Sequence, residues 1–273
     1  MEKFVVANGC ALRIADTEKG DAVVLLLHGY LEALDVFDEF TWQLADRVRV
    51  VSLDLPGHGI SEVKGEVHGM EFLADTAVAV LDHLGVDRAV VVGHSMGGYV
   101  ALEILNRHPE RVAGLVMLHS RPDADTEEKR ADRLREIALI ESGKKDLLTK
   151  TVPQRLFASQ NVRRFRDVQE EMAEQIYLTD DEGITALLRG MGDRKDHNEL
   201  LRSSQIPQMF VFGRHDEIIP EERARMTEEA HPQAQTVWFE ESGHVAFIEE
   251  QERCTEVVTE FAFRAFGLPA AEA

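Results

Sequence analysis

The sequence predicts an α/β protein: a mostly parallel, twisted sheet flanked by helices, with a helical insertion between two of its strands. Three observations carry this. Short continuous apolar runs closed by turn residues recur along the chain, as expected of strands buried on both faces. Segments with apolar residues near a 3.6-residue period separate them, and strands alternating with helices favour parallel pairing with helices on both faces. Residues 121–204 interrupt that alternation with a charged stretch of helical periodicity alone.

Taken in order, Phe4-Val5-Val6 and Ala11-Leu12-Arg13-Ile14 flank Asn8-Gly9 and form a hairpin at a sheet edge. Val23–Leu27 is an apolar run ending in His28-Gly29. Val48–Leu53 is a second, closed by Asp54-Leu55-Pro56-Gly57-His58-Gly59. Phe72, Ala77, Val80, Leu81 and Leu84 then recur at helical spacing before Gly85. Ala89–Val92 precedes Gly93, and Val100, Ile104 and Leu105 mark a helix ahead of Pro109. Ala113–Leu118, Met209–Phe212 and Thr236–Phe239 are the remaining strands, and one helix is expected over Val245–Phe266. Within the insertion three faces stand out: Leu134, Ile137 and Ile140; Val162, Phe165, Val168, Met172 and Ile176; Ile184, Leu187, Leu188 and Met191. The expected division is a core of residues 1–120 and 205–273 and a helical lid of residues 121–204. Insertions at that edge of an α/β sheet roof the ligand crevice.

Composition narrows the function. Thirty Lys and Arg against 50 Asp and Glu give a formal charge of −20, which repels phosphate backbones and excludes nucleic acid as the expected partner. The longest purely apolar run, Ala22–Leu27, falls far short of a membrane span. The first residues lack the basic and apolar segments of a signal peptide, so a cytoplasmic location is expected. Neither of the two cysteines, Cys10 and Cys254, sits in a metal or redox pair. Nucleotide, dinucleotide and zinc motifs are missing too, so no cofactor and no metal are expected, and the partner is a small-molecule substrate.

One motif carries chemistry. Gly93-His94-Ser95-Met96-Gly97-Gly98 places Ser95 on a sharp turn between a strand and a helix, with the Met96 amide aimed at a developing oxyanion. A serine hydroxyl needs a base held by a third group. His244, in Glu241-Ser242-Gly243-His244-Val245-Ala246 after the last strand, is the candidate base. Asp216, directly after the preceding strand, is the candidate orienting carboxylate, with Glu217, Asp123 and Asp125 as competitors. The Tyr30 amide, after His28-Gly29, is the second candidate oxyanion donor. His28, His58 and His94 are expected to pack or hydrogen-bond. His28 is also a candidate substrate contact, with Leu31, Leu188, Arg189 and Val245.

Over nearly the whole chain these motifs resemble the α/β-hydrolase superfamily. They are His28-Gly29-Tyr30, Asp54-Leu55-Pro56-Gly57-His58-Gly59, the Ser95 elbow, Gly213…Asp216…Pro220 and Gly243-His244. The order Ser95, Asp216, His244 is the one the superfamily uses. Ala186-Leu187-Leu188-Arg189-Gly190-Met191 with Asp193-Arg194, leading through Ile206-Pro207 into a strand, resembles the small carboxylesterase and enol-lactonase branch. The resemblance implies hydrolysis of a carboxylic ester, or a related acyl bond, through an acyl-Ser95 intermediate. Enol-lactone or carbon–carbon bond hydrolysis and cofactor-free haloperoxidase-like activity are alternatives, as is a ligand-sensing protein on the same fold. Ser95 stands where epoxide hydrolases and dehalogenases carry an aspartate. His94 and Val245 depart from the carbon–carbon hydrolases, which show Asn and Trp there. Ala33 stands where relatives usually have Ser or Thr. The net charge favours a small or medium neutral ester, whereas Arg121, Arg189 and Arg194 offer partners to an anionic one.

Overall fold

The structure is a computed structural model and describes residues 1–269. Its eight strands are β1 (Glu2–Ala7), β2 (Cys10–Asp16), β3 (Val23–Leu27), β4 (Arg49–Leu53), β5 (Ala89–His94), β6 (Val112–Leu118), β7 (Gln208–Gly213) and β8 (Gln235–Phe239). They form one sheet in the order β1-β2-β4-β3-β5-β6-β7-β8. The β1–β2 hairpin turns at Asn8 and Gly9, both with positive φ, and β2 also pairs antiparallel to β4. All other pairs are parallel.

Side chains alternate across this sheet. Leu25, Leu27, Val91, Leu115 and Phe210 face one core. Val24, Leu26, Val90, Val92, Val116 and Met209 face the other. Ten α-helices, with a one-turn helix before the last, complete the described chain. They are α1 (Asp38–Leu44), α2 (Met70–His83), α3 (Met96–Arg107), α4 (Glu127–Glu141), α5 (Asp146–Leu156), α6 (Arg166–Leu178), α7 (Asp181–Gly192), α8 (Asn198–Ser203), α9 (Glu221–Ala230), the short α10 (Ala246–Glu249) and α11 (Gln251–Phe266). Helices α2 and α3 cover the first face, α1 and α11 the second. In the second core Phe37, Phe40 and Phe247 meet with ring centroids 5.1–6.5 Å apart. Each such ring stabilises the fold by about 1.5–3 kcal/mol through burial. No described helix is long and apolar enough to cross a membrane.

The apolar runs are strands where the pattern places them, and α4 to α8 fill the segment between β6 and β7. Two local expectations are corrected. Leu134 is 65% exposed; on α4 the buried positions are Arg133, Ile137 and Ile140. Arg133 turns inward because Asp125 receives its guanidinium. The helix expected over Val245–Phe266 breaks at Glu250, with φ −127° and ψ 51°. There Glu249 and Glu250 fold back to accept hydrogen bonds from Gly243, Ser242 and Glu241.

Candidate active site

The C-terminal ends of β3, β5, β6, β7 and β8 carry the candidate residues into one region. Ser95 joins β5 to α3 at φ 50° and ψ −114°, a backbone that L side chains rarely adopt. The turn holds because α3 starts hard against β3: a Cβ on Gly97 would collide with the Leu27 carbonyl. Ser95 is half-buried, and its carbonyl accepts the Ser120 hydroxyl at 2.7 Å and the Gly98 amide at 3.0 Å. Met96 is the first residue of α3, so its amide has no intrahelical acceptor and lies at the positive helix end. The Tyr30 amide follows β3 next to Leu31, itself at φ 64°. It has no hydrogen-bond acceptor among the described residues.

His244 Nδ1 lies 2.7 Å from Asp216 Oδ2, and both residues are buried. Asp216 Oδ1 accepts the Ile218 and Ile219 amides, each at 2.8 Å. Burial pushes the Asp216 pKa up, but the imidazoles of His244 and His119 outweigh it and hold the carboxyl far below its usual range. A carboxylate only accepts, so Nδ1 of His244 donates, and in the neutral ring the lone pair then lies on Nε2. Nε2 is buried and has no hydrogen-bond partner among the described residues.

The competing carboxylates are engaged elsewhere. Glu217 is exposed. Asp123 pairs with Arg121 at 3.1 Å and accepts Asn198 at 3.2 Å. Asp125 is buried between Arg133 and Arg194.

His119, after β6, was not singled out by the sequence. It is fully buried with φ 48°. Its Nε2 accepts the Ala246 amide at 3.2 Å, which leaves the ring proton on Nδ1, 3.4 Å from Asp216 Oδ2. That separation is long for a full hydrogen bond, so the contact orients Asp216 more weakly than the two amides do. Burial pushes the His119 pKa down to about 4, with Asp216 opposing, so the ring is neutral. One donor atom from each of His119, Asp216 and His244 lies within 4.8 Å of the others. For a metal to bind there, His244 and His119 would each have to give up the Nδ1 proton just described.

The helical insertion is bolted to the His244 loop. The His244 amide donates to the Leu156 carbonyl at 2.6 Å. Glu249 receives the Ala158 amide at 2.8 Å and Asn161 Nδ2 at 2.9 Å. Gly243 permits this approach, since a Cβ there would sit 2.6 Å from the Ala158 nitrogen. On the other side the Tyr30 hydroxyl reaches Glu136 of α4 at 2.7 Å.

A cavity of about 630 Å³ is bordered by Tyr30, Leu31, Phe40, Phe165, Met172 and Phe247 among others; it reaches the candidate oxyanion donor at Tyr30, while Ser95 and His244 are not among its lining residues. Of the expected substrate contacts, Leu31 borders it. The other four are placed away from it, for identifiable reasons. His28 is fully buried, with Nδ1 donating to the Gly29 carbonyl and Nε2 accepting the Leu55 amide. Leu188 and Val245 are fully buried in the two cores. Arg189 bonds outward to Glu141 and the Glu66 carbonyl.

Comparison with known proteins agrees with this architecture. A family model described as the alpha/beta hydrolase fold matches residues 22–251. The chain is 30% identical over 249 residues to a dihydrolipoyllysine-residue acetyltransferase component of an acetoin cleaving system from Pseudomonas putida. That match covers 89% of the chain but only 64% of the longer relative. It is 26% identical over 247 residues to a pimeloyl-[acyl-carrier protein] methyl ester esterase from Aeromonas hydrophila, covering 87% and 94% of the two chains. Among solved structures, a malate-bound thermophilic esterase from Thermogutta terrifontis superposes with a TM-score of 0.89 at 28% identity, over 97% of this chain and 99% of that one. An enol-lactonase from Burkholderia xenovorans superposes with a TM-score of 0.86 at 22% identity, over 95% and 99%, a likeness of fold. With a sheet of this order, an elbow after β5 and a family match across most of its length, the chain belongs to the alpha/beta hydrolase fold family.

Proposed function

We propose that the protein hydrolyses a carboxylic ester of small to medium size through an acyl-serine intermediate. The observation that carries this reading is the Asp216–His244 pair beside the elbow, with Nε2 of His244 free to accept a proton. In the proposed reaction Ser95 Oγ attacks the ester carbonyl and its proton passes to His244 Nε2. The Tyr30 and Met96 amides take the charge that develops on oxygen, and Asp216 stabilises the imidazolium. The alkoxide leaves with the proton from His244, giving acyl-Ser95 and an alcohol. Water then attacks the acyl group, passes its proton to Nε2, and Ser95 departs with that proton as the acid is released.

The substrate reading rests on the cavity. Its apolar wall, including Leu31, Val36, Phe40, Leu156, Phe165 and Met172, suits a hydrocarbon acyl or alcohol group. Its charged lining residues are all carboxylates, among them Asp35, Asp38, Glu171 and Glu174. Burial and the neighbouring Asp35 and Glu2 push Asp38 up to about 6, as happens where negative charge accumulates. The three arginines that would favour an anionic ester are already engaged: Arg121 by Asp123, Arg189 by Glu141, and Arg194 by Asp125 and the face of Tyr99. A neutral ester fits this lining better than an anionic one.

Release of p-nitrophenol from a short acyl ester, together with labelling by a fluorophosphonate probe, tests the proposal. Wild type is expected to turn over and to be labelled. Ser95→Ala is expected to lose on the order of 10⁴-fold or more in kcat and all labelling. Labelling that survives in Ser95→Ala refutes the assignment.

A further inference from the structure

The proposed reaction leaves a second buried carboxylate–imidazole pair beside the elbow without a role. Glu32 lies two residues beyond Tyr30 and is 5% exposed; His94 precedes Ser95 and is fully buried. His94 Nδ1 lies 2.9 Å from Glu32 Oε2, and His94 Nε2 lies 2.9 Å from the carbonyl oxygen of His244. The same Glu32 oxygen accepts the Gly29 amide at 2.6 Å.

Counting donors and acceptors fixes the protons. A carbonyl oxygen only accepts, so His94 Nε2 carries a hydrogen. One more proton lies between Nδ1 and Oε2. That oxygen already receives the Gly29 N–H, and a protonated carboxyl oxygen is a poor acceptor, so the proton belongs to nitrogen. His94 is therefore an imidazolium and Glu32 a carboxylate. Burial works against a charged His94, but Glu32, the His244 carbonyl and Asp216 outweigh it and hold the pKa above the ordinary histidine value. Burial likewise pushes Glu32 up, while His94 and the Gly29 amide bring it below its usual range.

Of the other titratable groups around His94, the Asp216 carboxylate adds negative charge and reinforces the imidazolium, while His28 and His119 add no charge. His28, on the β3 loop, is held as the neutral Nδ1–H form by its two backbone partners. His119 on the β6 loop, with its ring 6.2 Å from that of His94, is neutral. The His244 ring, on the β8 loop, lies 5.1 Å away with Asp216 of the β7 loop behind it. Phe247 closes the remaining side at 4.9 Å.

We propose that Glu32 and His94 are positioning residues: a fixed ion pair that ties the loop carrying the Tyr30 amide and the loop carrying His244 to the residue next to the nucleophile. Glu32 grips the first loop through Gly29, and His94 grips the second through the His244 carbonyl. The inference rests on the acyl-serine reading. It adds a consequence that the three reacting residues do not have. A neutral imidazole has one N–H, so loss of the His94 proton at alkaline pH breaks one of its two hydrogen bonds and lets one loop shift. Misplacement by about 1 Å is enough to cost on the order of 100-fold. The pair's contribution to stability also depends on pH. The His94 share is complete below the unfolded histidine pKa and is lost as pH rises through the raised folded value, whereas the Glu32 share is lost as pH falls through its lowered folded value.

The test is side-chain ¹⁵N NMR of the histidines in wild type and Glu32→Gln, with kcat and KM measured across the alkaline range. In wild type one imidazolium signal is expected to persist to higher pH than those of ordinary histidines. In Glu32→Gln its titration and the alkaline limb of kcat are expected to move together to lower pH. At neutral pH kcat is expected to fall about 10- to 100-fold with KM changed little. Absence of a persistent imidazolium in wild type overturns the proposal even if the variant fails to fold. So does a Glu32→Gln profile that matches wild type. Fluorophosphonate labelling of wild type is read in parallel. If Ser95 is not labelled while the imidazolium persists, the acyl-serine reading fails and the ion pair stands as an architectural feature alone.

Discussion

Two buried carboxylate–imidazole pairs flank the elbow, and they differ at one atom. Asp216 and Glu32 each meet an Nδ1, at 2.7 and 2.9 Å, and the two imidazole rings are 5.1 Å apart. In His244 the second nitrogen has no partner among the described residues; in His94 it is spent on a backbone carbonyl. A ring with a free lone pair accepts a proton during reaction, whereas a ring with two bound protons braces what it touches. Each pair joins a carboxylate to an imidazole, and all four side chains are buried. What separates a proposed base from a proposed brace is where the far nitrogen points.

The strongest way to break this comparison is to change the carboxylates. Asp216→Asn is expected to lower kcat by about 10⁴-fold, because the amide favours the wrong imidazole tautomer. Steady-state ester hydrolysis measures it, and activity near wild type would remove Asp216 from the proposed reaction. Asp125→Asn, which changes one of the competing carboxylates, is expected to act on stability instead. It leaves Arg133 and Arg194 buried with a weaker partner, at a cost of about 3 kcal/mol in urea unfolding. The kcat of its folded fraction stays near wild type. A dead but fully stable Asp125→Asn would show that the acid had been misplaced.

Both expectations depend on features that differ in how openly the sequence displays them. The strands are visible because burial on two faces demands unbroken apolar runs such as Val23–Leu27 and Ala89–Val92. Helix α9 is not, because only Ala224 and Thr227 of its ten residues are buried, too narrow a stripe to show a period. The break at Glu250 escapes for another reason: Glu249 and Glu250 read as ordinary helix residues until the His244 loop is folded against them. Ser95 is legible because a tight turn needs small neighbours at fixed offsets. Asp216 and Glu217 are adjacent, and only the path of their loop decides which carboxylate turns inward. Glu32 and His119 carry no local signature, since their partners lie 62 and 97 residues away in sequence, at His94 and Asp216.

A smaller effect follows from the histidines that, unlike His94, are held neutral by burial. The pKa values of His28, His58 and His119 lie below the ordinary value, that of His119 at about 4. The unfolded chain protonates these side chains below about pH 6.5 and the folded chain does not. Stability is therefore complete above that pH and falls as the pH drops toward the folded values. Each histidine contributes a slope of up to about 1.4 kcal/mol per pH unit. Urea midpoints between pH 7 and 5 test this; a midpoint independent of pH would mean that these rings are charged in the folded state or solvated.

The smallest effect concerns substrate charge. Matched esters with and without a terminal carboxylate are expected to differ a few-fold in kcat/KM at low salt, in favour of the neutral one, and to converge as salt screens the exposed rim. A preference for the carboxylated ester that Arg189→Ala or Arg194→Ala abolishes would reverse the substrate reading and favour an anionic lactone or ester.

The most direct test of the proposed chemistry is to quench turnover of a slow ester with acid and weigh the protein and its peptides by mass spectrometry. The reading predicts one acyl group per chain, located on Ser95 and absent from Ser95→Ala. Turnover with no adduct on Ser95, or an adduct on another residue, would contradict it.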